Sequence, residues 1–410
     1  MIAGGYIMNN DLKKIALVID PRFPVPSVNG GAVEELLTIL AEQNEIYKRA
    51  HLEIYCLYDK KAKEISDEWK FCKMRYYSSH PLFYRLIDFV PRKVFHKSMY
   101  PNGLYYPYVI HRLLRRKYDY IVAENKGYVH EFRELKKKYT LSQLIYHIHT
   151  HDLADSISKH NFNRVIGVSD YVTNEWIRSV KPETCIGKTV KNCVKTERFQ
   201  QPISGEEIAS LRQSLGLESD DFVVFFAGRI VEGKGILELA KAVIQSKYPN
   251  IKLVIAGANK HSDAKMDKYE SELDKIVKTS DKIIRVGYID NSELPKYYQM
   301  ADLQCAPSLY EEAAGLIVIE GMLSGLPLVI TNSGGMVEYV NTDCALIIDK
   351  ADDILEKSDR HELIDALTNA IEDLYLHPEQ CKKMSKNGQE YGKKFSPERF
   401  YNEFIDAVLS

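Results

Sequence analysis

The feature that most constrains this chain is an alternation, carried through almost all of its 410 residues, of short β-branched runs with longer segments of helical period. Such an alternation builds βαβ units around a parallel sheet covered on both faces, so strands read as continuous apolar runs. The first half offers IALVID at 15–20, LEIYCL at 52–57, YIVAE at 120–124, QLIYHI at 143–148 and RVIGVS at 164–169. The second half offers FVVFFAGRI at 222–230, IKLVIAG at 251–257, KIIRVG at 282–287, ADLQCAPS at 301–308, PLVITN at 327–332 and ALIID at 345–349. Between them, residues 192–207 are polar, carry Pro202 and Gly205 and lack an apolar period, a composition suited to a hinge. The expected organisation is an N-terminal α/β domain over 1–198, a second over 199–395, and a helix over 396–410. In that helix Ser396 is the N-cap, Pro397 takes the first helical position, and Phe400, Phe404 and Val408 form an apolar stripe with which it would pack back on the N-terminal domain.

The net charge of −2 conceals a division. Residues 1–199 carry 32 Lys and Arg against 22 Asp and Glu, and the remainder 23 against 35, giving +10 and −12. A basic half beside an acidic half implies different partners for the two domains. The cationic excess gathers partly in 82–117, where Phe83, Leu86, Ile87 and Val90 accompany Arg85, Arg92, Lys93, Lys97, Arg112, Arg115, Arg116 and Lys117. Apolar residues beside a basic cluster suit docking on an anionic membrane surface, the bland alternative being a solvated face over core residues. No run of about 18 uncharged apolar residues and no basic-then-apolar leader are found, so a cytoplasmic protein, at most peripheral to the inner face of a membrane, is expected. Seven cysteines without a CxxC pair or zinc spacing read as reduced thiols.

Three segments carry chemistry. In SLYEEAAGLIVIEGMLSGLPLVIT at 308–331, Glu312 and Glu320 flank Gly315, and a helix is expected from about Gly315 to Gly325–Pro327. A glycine at a helix N-terminus admits an anion to the backbone N–H groups, and two carboxylates can accept from sugar hydroxyls; a loop glutamate and a helix-face glutamate would give the same spacing. In FFAGRIVEGKGI at 225–236 a strand ends at Gly228 and presents Arg229 and Lys234, cations suited to a diphosphate or to a plain solvated turn. In YHIHTHDL at 146–153, His147, His149 and His151 alternate. Three imidazoles suggest zinc, but in an extended strand they would span roughly 13 Å, too wide for one ion unless the chain turns, so a substrate contact is the favoured role. Gly30–Gly31, which precede AVEELLTILAEQ with Val33, Leu36, Leu37 and Leu40 on one helical face, are compatible with a backbone approach to phosphate.

Taken together, VNGGAVEELL, YHIHTHDL, KNCVKTERF, AGRIVEGKGI and EAAGLIVIEGMLSGLPLV resemble, in that order and over essentially the whole chain, retaining glycosyltransferase family four. The resemblance implies the GT-B fold, two Rossmann-like domains facing a central cleft, and hexosyl transfer from a nucleoside diphosphate sugar, expected to be a UDP-sugar, to a glycan or lipid-linked acceptor in cell-surface polysaccharide or glycolipid synthesis. It implies that Arg229 and Lys234 grip the diphosphate, Glu320 the ribose, and Glu312 the donor sugar. Backbone N–H groups near Gly315, Leu316 and Ile317 complete the phosphate site, His149 contacts the sugar or β-phosphate, and Gly30 and Gly31 let the first loop close over the phosphates. No metal and no cofactor beyond the sugar nucleotide are implied, and no nucleic acid is expected as a partner. The family's EGFG is EAAG here and its NGVD is Asn192-Cys193-Val194-Lys195. Rival readings are a sugar-nucleotide epimerase of the same fold and a non-catalytic sugar-nucleotide-binding relative; a dehydrogenase is disfavoured because no strand runs directly into GxGxxG.

Overall fold

The computed structural model describes residues 12–78, 104–124, 130–151, 161–180, 185–257, 268–357 and 360–410. The chain divides into two compact units, one made of the residues up to Lys191 together with Pro397–Ser410, the other of Asn192–Ser396. The sequence reading set the boundary at 198/199; in the structure Val194, just before a short helix, Thr196–Gln200, and Phe199 within it bury into the second unit's core. The segment read as a hinge is thus the start of the second unit.

In the first unit the strands are β1 (Lys13–Ile19), β2 (Ala50–Leu57), β3 (Cys72–Tyr77), β4 (Tyr120–Glu124), β5 (Leu144–Ile148), β6 (Arg164–Gly167) and β7 (Ile186–Thr189). They form one sheet in the order β3-β2-β1-β4-β5-β6-β7, and every pairing is parallel. The chain winds outward from β1 in one direction and resumes at β4 in the other, so β1 and β4 flank the switch point at which such sheets bind ligands. The helix Pro397–Leu409 belongs to this unit: Phe400, Phe404 and Val408 are fully buried. It lies against the helix Ala32–Tyr47, where Tyr401 stacks on Tyr47 and donates to Asn44 at 2.7 Å. Arg49 pairs with Asp406 at 2.5 Å.

In the second unit β8 (Phe222–Ala227), β9 (Ile251–Ala256), β10 (Ile283–Gly287), β11 (Leu303–Ala306), β12 (Leu328–Thr331) and β13 (Ala345–Ile348) form a parallel sheet ordered β10-β9-β8-β11-β12-β13. Its two faces bury separate cores. Val223, Phe225 and Ala227 of β8 point into one, with Met322 and Tyr339; Val224 and Phe226 point into the other, with Leu239 and Leu367. Period-2 alternation of apolar residues on both faces is why FVVFFA reads as an unbroken apolar run. The switch point here lies between β8 and β11, so their carboxyl-end loops, 228–235 and 307–315, meet at the position where this topology takes a ligand. Both folds are the two Rossmann-like α/β units expected.

Candidate active site

Each loop at the second unit's switch point is held by close packing. Gly235 has φ +68°, and a Cβ there would lie 2.0 Å from the Pro307 carbonyl oxygen, so only glycine fits both the backbone and the approach of the β11 loop. The Gly233 carbonyl accepts from the Leu309 N–H at 2.8 Å, locking the two loops together. That brings Lys234 and Glu312 into contact: Nζ lies 2.5 Å from Oε1, with the side chains 15% and 12% exposed. Ser308 donates its hydroxyl to the same oxygen at 2.5 Å, and Lys234 sits over the Tyr310 ring, 5.2 Å from its centre. Burial works against the lysine's charge, but Glu312 and Tyr310 more than offset it and hold its pKa above the ordinary value. An ammonium has three N–H donors, so the bond to Glu312 does not exhaust them. Arg229 is exposed and makes no side-chain ion pair among the described residues.

The helix Leu316–Leu323 starts at Gly315 without a side-chain cap. Its first N–H groups, including Leu316 and Ile317, have no intrahelical acceptor, and the helix dipole favours an anion there. The helix packs so closely on β11 that a Cβ at Gly321 would lie 1.6 Å from Gln304 Oε1. Further along the helix Glu320 has a different partner: its carboxylate accepts from the Tyr298 hydroxyl at 2.8 Å, on the helix Leu294–Gln299. Although the residue as a whole is partly solvated, its carboxyl is enclosed, and burial raises its pKa to about 7 against the smaller lowering effects of Tyr298 and Arg198. The two glutamates therefore occupy two chemically distinct ends of the site, one paired with a cation and one with a phenol.

In the first unit, Gly30 and Gly31 follow β1 with φ +78° and +107°, backbone that glycine adopts freely, and Gly31 precedes the helix Ala32–Tyr47. Glu124 ends β4 and is the register partner of His147 on β5, so their side chains share a face, and His149 two residues on returns to it. His147 Nδ1 and His149 Nε2 each lie 2.8 Å from Glu124 Oε2, and the rings are 4.0 Å apart. The sequence argument that the histidines spread too widely is corrected here: the chain leaves the strand after Ile148, which lets two rings close on one carboxylate, while His151 turns to Tyr171 at 3.1 Å. Glu124, His147 and His149 are the group among the described residues with ligand atoms near enough to hold a metal ion. Their carboxylate is driven down to about 2: burial opposes its charge, but His147 and His149 more than compensate. His149 itself is lowered to about 4 by burial and by His147.

Sequence reasoning missed Glu124, Ser308, Tyr310 and Tyr298. Glu124 did leave a signal, a polar residue at the carboxyl end of the otherwise apolar strand run YIVAE. The clustered residues 82–97 lie outside the described residues; Arg112, Arg115 and Arg116 line a depression of about 580 Å³ with Tyr108 and His111, and Arg116 also reaches Glu53 at 3.4 Å.

Residues 207–391, which span these loops and the helix Leu316–Leu323, match the family model described as glycosyl transferases group 1. The second unit belongs to the glycosyl transferases group 1. An uncharacterized glycosyltransferase of Methanocaldococcus jannaschii is 31% identical over 173 residues, 40% of this chain and 43% of that protein, so the chain spans less than half of that relative's length. A lipopolysaccharide 1,2-N-acetylglucosaminetransferase of Salmonella typhimurium is 24% identical over 337 residues, 80% of this chain and 83% of that one. Among solved structures, Anabaena HepE in complex with UDP-glucose matches at a TM-score of 0.72 and 18% identity, covering 97% of this chain and 99% of that chain. The fold of the chain is accordingly GT-B. No helix among the described residues is long and apolar enough to cross a membrane.

Proposed function

We propose that the chain transfers a hexosyl unit from a nucleoside diphosphate sugar, a UDP-sugar in the first instance, to a glycan or lipid-linked acceptor, with retention and without a metal ion. The observation that carries this reading is the convergence of Lys234 and Glu312 beside the uncapped helix start at Gly315, on the two loops of the β8/β11 switch point. It is supported by the family of the second unit and by HepE, whose structures are described as complexes with UDP and with UDP-glucose.

Breaking the bond to the anomeric carbon builds negative charge on the departing diphosphate. Lys234, Arg229 and the N–H groups of Leu316 and Ile317 meet that charge from fixed positions, the role a divalent ion would otherwise take. Glu312 receives sugar hydroxyls, Glu320 the ribose hydroxyls, and His149 of the first unit contacts the sugar. The Gly30–Gly31 turn brings backbone to the phosphates. No carboxylate is assigned as nucleophile; the donor phosphate takes the acceptor's proton as the new bond forms on the same face. The acceptor is membrane-borne, and the first unit approaches the anionic leaflet through Arg112 and Arg115.

A panel of nucleotide sugars tests the donor. A true donor raises the melting point and undergoes slow hydrolysis, and the anomeric configuration of the product, read by NMR, decides retention. A panel in which no nucleotide sugar binds would remove the proposal. For the acceptor, vesicle sedimentation should require anionic lipid, weaken with salt and weaken in an Arg112→Ala/Arg115→Ala variant, which leaves the Arg116–Glu53 pair intact. Equal recovery with neutral vesicles points to a soluble acceptor.

A further inference from the structure

Glu124 places a constraint on His149. A carboxylate has only lone pairs to offer, so every group within hydrogen-bond distance of it must bring a proton. His149 Nε2 stands 2.8 Å from Oε2 and His147 Nδ1 stands 2.8 Å from the same atom, on the other histidine. Nε2 of His149 is therefore the protonated nitrogen. A ring this enclosed stays neutral, its side chain being 4% exposed, which leaves Nδ1 with a bare lone pair.

We infer that Glu124 is a positioning residue that fixes His149 as the Nε2–H tautomer, so that its Nδ1 serves as a hydrogen-bond acceptor. The inference rests on the proposed transfer reaction for the meaning of that acceptor and on geometry alone for the tautomer. It decides between the two contacts the resemblance leaves open for His149. A phosphate oxygen has no proton to give, and two lone pairs facing one another repel; a sugar hydroxyl donates to Nδ1 without cost. His149 accordingly serves the sugar and not the diphosphate.

The remaining atoms of the cluster support a hydrogen-bonded arrangement over a metal site. Glu124 Oε1 and His147 Nε2 are both buried without a partner. An ion held at His147 Nδ1 would force the proton onto Nε2, where nothing accepts it, whereas ligating histidines nearly always donate their second N–H. With the proton on Nδ1, Nε2 is only a lone pair beside the Phe404 ring, 5.2 Å away between centres.

The test begins with the wild-type chain. Long-range ¹H–¹⁵N correlation of histidine-labelled protein at pH 7, with His149→Gln to assign the signals, should show a neutral His149 protonated on Nε2. An Nδ1–H tautomer or an imidazolium would overturn the inference, as would one zinc per chain by elemental analysis of protein purified without chelator. Glu124→Gln keeps the shape but no longer dictates the proton's place. It should mix the tautomers in the same spectrum and lower kcat by roughly ten- to a hundredfold, with nucleoside diphosphate affinity unchanged. Wild-type kcat in that variant refutes the positioning role. If instead no nucleotide sugar serves the wild-type protein, the proposed function fails, and the spectrum still decides the tautomer.

Discussion

Glu320 offers a measurement that needs no substrate. Its carboxyl has an ordinary value of 4.5 and is raised by burial to about 7 in the fold. A group raised in this way contributes stability that is fully present below about 4.5 and is lost as the pH climbs through 7. At about 1.36 kcal/mol per unit, the loss between pH 5 and pH 8 comes to roughly 2.5 kcal/mol, since part of the titration lies below pH 5. Glutamine at this position keeps an acceptor for Tyr298 and never ionises. The stability of Glu320→Gln relative to wild type should therefore improve by roughly 2.5 kcal/mol from pH 5 to pH 8, and every other titrating group cancels in the comparison. For a unit of this size that is roughly 5–10 °C in melting temperature. Calorimetric melts at the two pH values measure it, and because Trp69 and Trp176 both lie in the first unit, fluorescence identifies that unit's transition separately. A melting-temperature gap between variant and wild type that is equal at pH 5 and pH 8 would show that the carboxyl is not held out of water, and the chemical contrast between the two glutamates would fall with it.

Three further outcomes are expected. Arg229→Ala should leave the melting temperature unchanged and slow transfer by roughly ten- to over a hundredfold, whereas Lys234→Ala should slow it as much and also cost about 1–3 kcal/mol, because Glu312 loses its cation; wild-type turnover in both would place the diphosphate elsewhere. Transfer should persist in EDTA, since fixed cations and helix N–H groups carry the leaving-group charge; loss with chelator and recovery with Mg²⁺ or Mn²⁺ would reverse that assignment. Phe404→Ala should remove about 3–5 kcal/mol from the tryptophan-reported transition of the first unit and leave the second unit's transition where it was.

What the sequence displayed and what it hid follow from burial. All six strands of the second sheet were legible, and in the first sheet β1, β2, β4, β5 and β6 were, because each carries a run of apolar residues toward the core. The two that escaped, CKMRYY and IGKT, are β3 and β7, the outer edges of that sheet, where half-exposed residues carry charge and no apolar run develops. At the site, Lys234, Glu312 and Gly315 were legible as types and positions on two loops. Their mutual contact was not, since it depends on Gly235 approaching Pro307, a spatial fact between segments far apart in the chain. Likewise the three histidines announced themselves, but the partner that sorts them is Glu124, which is adjacent only through the pairing of β4 with β5.

The helix Pro397–Leu409 completes the unit that the chain begins, and it leaves the ribosome only after Asn192–Ser396 has been made. At elongation rates of about 5–20 residues per second, the nascent first unit waits roughly 10–40 s with the seats for Phe400, Phe404 and Val408 open. Through that interval the apolar residues that the helix covers in the finished fold have no cover from it. The unit that closes last is therefore the one that started first, and a truncation before Pro397 would damage the earliest-made part of the protein.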